Sequence, residues 1–181
     1  MPVFNINQVS NALSAYPPLR TNQYEVYISY PQAAGGGYEG PVWAQSVTVP
    51  GRSIATQERR TFGPQRDMPY ERLFSGDLEI TFLLTKGGGF RKRFEDWMDA
   101  IIDPQTNRIA NSRTDYLGEI EIDFTNEEGD VEYGLKIFEV FPKTISPIAI
   151  SYRNENEVME QQISFSFRNY EQKNADDGGG I

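Results

Sequence analysis

The sequence predicts a mainly β protein, a β-sandwich or rolled barrel of about seven strands with one flanking amphipathic helix. Three observations carry this reading. Apolar and polar residues alternate with a period of two in four separate stretches, the pattern of half-buried strands. Aromatic residues make up 13% of the chain, with 11 Phe and 10 Tyr, and such side chains pack well on a pleated surface. Helical spacing appears convincingly in one segment only, after Gly87-Gly88-Gly89.

Taken in order, residues 1–19 form an N-terminal arm, in which Val9, Ala12, Leu13 and Tyr16 share one face of a short helix that Pro17-Pro18 ends. A frayed end and a segment that docks on a neighbour are both compatible with it. The body spans 20–173. Tyr24, Val26, Ile28 and Tyr30 alternate with Gln23, Glu25, Tyr27 and Ser29. Gly35-Gly36-Gly37 interrupts, Val42 to Val49 reads as the returning strand, and Pro50-Gly51 turns. Residues 52–72 lack core periodicity and hold Arg52, Arg59, Arg60, Arg66 and Arg72 against Glu58, Asp67 and Glu71. So long a stretch without periodicity inside a compact domain is usually functional or disordered. Two readings stand, an extended hairpin reaching another subunit and a solvated loop.

Leu78, Ile80, Phe82 and Leu84 mark the next strand. In the helix, placed at 90–102, Phe90, Phe94, Trp97, Met98 and Ile101 form an apolar stripe that plugs the sheet, and Asp103-Pro104 stops it. Ile120, Ile122 and Phe124 alternate with Glu119, Glu121 and Asp123. Asn126-Glu127-Glu128-Gly129 turns into a strand from Val131 to Val140, which Phe141-Pro142 breaks. Ile148, Ile150 and Tyr152 read as a short edge strand behind Pro147. Ile163, Phe165 and Phe167 form the last strand, and 174–181 a flexible glycine-rich tail.

Composition narrows the chemistry. The chain of 181 residues has neither histidine nor cysteine, which removes thiol nucleophiles, Ser-His triads, disulfides and the usual zinc or haem ligands. No cofactor or metal is expected. No apolar stretch is long enough to cross a membrane as a helix, and the start at Met1-Pro2-Val3 lacks the pattern of a signal peptide. The net charge of −9 falls entirely in residues 110–181, with 6 basic and 15 acidic side chains; residues 1–109 balance at 11 each. Tight nucleic-acid binding needs a basic surface, whereas an acidic one lets a polyanion slide past.

The triple glycines lack the Gly-Lys-Ser/Thr of a phosphate loop. Glu119, Glu121 and Asp123 lie on one strand face, about 7 Å apart per two-residue step. That spacing suits two catalytic carboxylates and equally any solvated strand face. Asp123, Glu127, Glu128 and Asp130 lack the pattern of a calcium loop. No catalytic residue is assigned. A carbohydrate-binding or glycan-hydrolysing β-sandwich module is the alternative class. It needs an aromatic platform or carboxylate cleft, and Trp97 lies on the helix's apolar face, leaving Trp43.

An ordered set of segments resembles a known family. After the Pro50-Gly51 turn comes Arg59-Arg60-Thr61-Phe62-Gly63-Pro64-Gln65-Arg66. The strand Gly76-Asp77-Leu78-Glu79-Ile80-Thr81-Phe82 follows, then the helix text Phe94-Glu95-Asp96-Trp97. Phe141-Pro142-Lys143-Thr144-Ile145-Ser146 and Gln162-Ile163-Ser164-Phe165-Ser166-Phe167 complete the order. Together these resemble the tail tube proteins of T4-like contractile phages, including the baseplate proteins that start the tube. The resemblance implies a non-enzymatic virion subunit, assembled in the host cytoplasm, that forms a homohexameric ring around a DNA channel. Adjacent rings, sheath and baseplate hub are the implied partners. It places 52–72 as the loop that stacks rings, with Arg59, Arg60 and Arg66 at that interface. If the ring turns Glu119, Glu121 and Asp123 towards its lumen, they repel the DNA backbone. Trp97 followed by Ile102-Asp103-Pro104-Gln105-Thr106-Asn107, and the end Gly178-Gly179-Gly180-Ile181, resemble tube initiators, while the chain's length favours the shaft. Tube proteins of phage-derived injection devices share the implied fold.

Overall fold

The computed structural model describes residues 19–59, 63, 65–109, 112–148, 150–151 and 158–174. The arm before residue 19, the tail after 174, Arg60 and Tyr152 therefore lie outside the described residues. Ten strands occur: β1 Tyr24–Ser29, β2 Tyr38–Glu39, β3 Ala44–Thr48, β4 Gly51–Arg59, β5 Arg66–Ser75, β6 Leu78–Leu83, β7 Gly118–Thr125, β8 Val131–Ile145, β9 Glu160–Ser166 and β10 Asn169–Asn174. Two α-helices accompany them, α1 Gly89–Ile101 and the single turn α2 Arg113–Tyr116.

Eight strands form one antiparallel sheet in the order β2-β1-β7-β8-β9-β6-β3, with β10 on β8 as a side branch. The sheet rolls because β8 serves two neighbours in succession. Its first part pairs with β7 and β10, and from Phe141 to Ile145 it pairs with β9. The changeover falls at Glu139, which has a left-handed φ of 54°, where the β7–β8 register slips between Gly118 and Ile120. Such a bulge bends the strand and redirects it. A non-glycine residue in this conformation is held at a cost, and Arg113 and Arg168 both grip the Glu139 carboxylate. The roll is sealed across residues 42–44. Val42 donates its N–H to the Val26 carbonyl (2.8 Å), and the Trp43 carbonyl accepts from Leu83 N–H (2.9 Å).

The core is what the alternation predicts. Val26, Ile28, Leu78, Ile80, Phe82, Ile120, Ile122, Ile163 and Phe165 point inward and are buried. The roll is closed by α1, whose Phe94 and Trp97 are fully buried. Phe94 lies 5.0–6.2 Å, ring to ring, from Phe90, Phe82, Phe165, Tyr30 and Trp97. Edge and offset contacts of this kind add about 0.5–1.5 kcal/mol per pair beyond area burial. The Trp97 indole N–H donates to the Tyr116 carbonyl (2.8 Å), so its one polar atom is satisfied. Its ring also explains Gly118: a Cβ there would stand 2.5 Å from the Ser29 carbonyl oxygen and 2.7 Å from Trp97 Cη2.

Several expectations need correction. Apart from the single Val42–Val26 hydrogen bond, Val42–Val49 does not run along the first strand; the two-residue β2 makes that return, and β3 crosses to β6. Alternation identifies a strand but not its partner. Phe141-Pro142 does not break the chain, because Pro142 sits at a register shift between Pro142 and Thr144, where a missing N–H is tolerated. Ile148 and Ile150 are not in a strand, and Ile150 is 83% exposed. The strand β10 and the helical turn α2 were not anticipated, and ten strands replace about seven.

We expect Trp97→Ala to cost about 3–5 kcal/mol and Gly118→Ala about 1–3 kcal/mol in urea unfolding. Gly89→Ala, whose new methyl meets nothing within 4 Å, should stay close to wild type.

Candidate functional site

Two surfaces stand out from the body, an arm and a charged sheet face. The arm is the hairpin β4–β5, a two-stranded sheet outside the main one. It runs from Gly51 opposite Ser75 to Arg59 opposite Arg66, with a register shift between Ala55 and Thr56. Isolated two-stranded hairpins are marginal in water. Here the base is pinned: the Arg52 guanidinium lies over the Tyr170 ring (3.9 Å) and donates to the Tyr170 carbonyl. Phe74, paired with Arg52, packs edge-on against Phe167 (5.2 Å) and tilts towards Tyr170 (5.6 Å). Beyond this base no described residue covers the apolar side chains of the arm. Ile54 is 65% and Tyr70 66% exposed, and Met68 and Leu73 are exposed as well. Of the two readings of 52–72, a hairpin or a solvated loop, the described residues are paired as the hairpin β4–β5. Arg59 and Arg66 meet as a cross-strand pair at its far end.

The second surface is the outer face of β1, β7, β8 and β10. Because Ile120 and Ile122 point inward, Glu119, Glu121 and Asp123 point away from the core, as alternation requires. They do not form a bare acidic stripe. Lys136 on β8 reaches Glu119 (2.9 Å) and Glu121 (3.2 Å), and Lys173 on β10 lies 3.7 Å from Glu121. The two carboxylates raise the affinity of Lys136 for its proton, Glu119 most strongly through its hydrogen bond. Glu25 sits opposite Asp123 and accepts a hydrogen bond from the Tyr27 hydroxyl (2.7 Å), which pushes that phenol up to about 12.

Asp123 differs from its neighbours. It is only 6% exposed, and its Oδ1 has no hydrogen-bond partner among the described residues. The space it occupies exists because residue 134 is glycine, where a Cβ would stand 2.6 Å from that oxygen. Burial raises the Asp123 pKa; the Lys173 ammonium opposes this, and Glu121 and Glu25 add to it. Sequence spacing groups the three acids, but only the register opposite Gly134 and Lys173 separates Asp123 from the others. Among the described residues, no three acidic side chains gather closely enough to hold a metal ion.

The described residues thus form a rolled sheet plugged by one helix, carrying an exposed arm and a charged sheet face. The family comparison makes this specific. The phage tail tube protein family matches residues 19–173, and the chain belongs to that family, one of structural tube proteins. The fold is shared with solved tubes of contractile injection systems. The sheath–tube complex of an extracellular contractile injection system, PVC, in its extended state aligns with a TM-score of 0.64 at 15% identity, covering 91% of this chain and 97% of that one. The tube-terminating cap of the anti-feeding prophage gives 0.63 at 19% identity, over 87% and 91%. The SPP1 tail tube gives 0.53 at 14% identity, over 87% and 80%. No curated protein matches the chain by sequence.

Two outcomes are expected from these surfaces. Since burial raises the Asp123 pKa, the folded state holds that proton more tightly than the unfolded chain. The stability from this group is greatest with the carboxyl protonated and falls as pH rises through its folded value. Asp123→Asn should therefore melt above wild type at pH 7, with the gap closing on acidification towards pH 4. Arg52→Ala should speed amide exchange in β4 and β5 by severalfold, with protection of β6 and β9 unchanged. Slow exchange throughout would show that the arm does not depend on this anchor.

Proposed function

We propose that the chain is a ring-forming subunit of a phage tail tube, six copies enclosing a channel through which DNA passes. The observation that carries this reading is the uncovered arm projecting from a body of the tail tube fold. Free sheet edges support it: among the described residues β10 pairs only with β8, and β3 only with β6, so each offers one side to a neighbour. Exposed edges are an aggregation hazard that a closed ring removes. The arm then reaches an adjacent ring, with Arg59, Arg60 and Arg66 at the stacking interface.

In this arrangement the face bearing Glu119, Glu121 and Asp123 turns to the lumen. Over those strand pairs Glu25 and Glu171 add two carboxylates, and Lys136 and Lys173 supply two ammonium groups. The excess is acidic, so a polyanion meets net repulsion and no continuous basic track. Sheath and baseplate proteins are the outer partners, and the virion tail is the location. Repeating shaft and baseplate initiator share this architecture. The initiator role draws on the loop after α1, where the Asp103 carboxylate accepts from Gln105 N–H (2.8 Å) and Ile102 and Ile109 pair across an exposed tip.

Negative-stain imaging of the purified protein tests the reading. Rings or tubes of six-fold symmetry are expected, and a strict monomer at high concentration overturns it.

A further inference from the structure

The end of the arm carries an unusual charge arrangement. Arg59 pairs directly with Arg66, and the preceding rung pairs Glu58 with Asp67. Adjacent rungs of an antiparallel ladder point to opposite faces. One face of the tip therefore presents two guanidinium groups and the other presents two carboxylates. Like charges directly across a ladder destabilise it. All four side chains are exposed, and none forms an ion pair with another described residue. The chain on its own thus holds two repelling pairs, back to back, at the end of an uncovered hairpin.

We propose that the arms of neighbouring copies pack face to face at their tips, Arg59 and Arg66 of one copy seated on Glu58 and Asp67 of the next. The proposal rests on the reading that the chain assembles, and it names the occupant of the arm's tip. The pairs are adjacent rungs of one ladder, whose Cα separations differ by only about 1 Å, so each guanidinium can reach one carboxylate. Arg–carboxylate contacts of this kind are strong and geometrically specific. A two-fold contact of tip on tip would bring like charge together. The match is therefore head-to-tail, the type of contact that closes into a ring or continues as a helix. The other acidic surface is a poorer partner, because Glu119 and Glu121 already hold Lys136 and Lys173, and Asp123 is buried.

Charge reversal by face tests this. Arg59→Glu/Arg66→Glu leaves acid on both faces, and Glu58→Arg/Asp67→Arg leaves base on both. Each double variant should need at least about tenfold more protein to assemble than wild type, since like-charge juxtaposition across an interface is strongly disfavoured. An equimolar mixture of the two doubles should recover assembly, by alternation from one copy to the next. The quadruple variant, with polarity inverted but complementarity kept, should recover it alone. Circular dichroism of every variant should match wild type, since the tip touches no core residue. Either double assembling like wild type overturns the contact. So does a folded quadruple variant as defective as the doubles, with wild type still assembling. A wild-type chain that never assembles overturns the tube reading and this contact together.

Discussion

The whole architecture depends on how the inside of a tightly rolled sheet is filled. A sheet that bends back on itself through one bulged strand brings inward-facing Ile, Leu and Phe side chains together but leaves one end open. Helix α1 fills it with Phe94 and Trp97, both fully buried. The surroundings are cut to those rings: Gly118 gives way to the indole, and Tyr116 offers its carbonyl to the indole N–H. Because interiors pack at near-crystalline density, the plug fixes the distance between the two halves of the roll.

That rigid body makes an exposed arm tolerable. A two-stranded ribbon alone cannot hold its direction, and the Arg52–Phe74–Phe167–Tyr170 cluster couples its base to the end of the main sheet. Cation–π contacts at such exposed sites contribute only about 0.5–1 kcal/mol each. Direction is therefore set at the root, while the outer half has few interactions of its own. Its apolar residues, Ile54, Met68 and Tyr70, gain burial only when another surface arrives.

Most of the core was legible because strands and helix repeat with different periods. Residues 78–83 and 119–124, and the helix stripe, were read correctly from spacing alone. The arm was legible as an absence: no core pattern across 52–72, with charges and Gly63-Pro64 in its place. Pairing was not legible. Whether residues 44–48 join the first strand or β6 depends on closure of the roll, which is a tertiary event. Pro142 misled because a break and a bulge need the same missing N–H. The strand Asn169–Asn174 was hidden because Arg168 and Asn169 follow Phe167 with no glycine or proline to announce a turn. Asp123 looked like its neighbours, since burial on an outward face comes from Gly134 and Lys173 on two other strands.

The placement of charge answers a problem that any self-assembling β protein faces. Free edges and apolar side chains favour association, and uncontrolled association yields aggregate rather than rings. An arm whose exposed residues were purely apolar would adhere to any similar surface. Back-to-back like-charged rungs change that selection. In a wrong register, or face on like face, they add repulsion; in one head-to-tail register they remove it from both copies together. In the proposed contact, apolar burial would supply affinity and charge would set the register. The sheet face obeys the same logic with the opposite aim. Lys136 and Lys173 offset enough acid for the strands to lie side by side, and they leave a net negative surface.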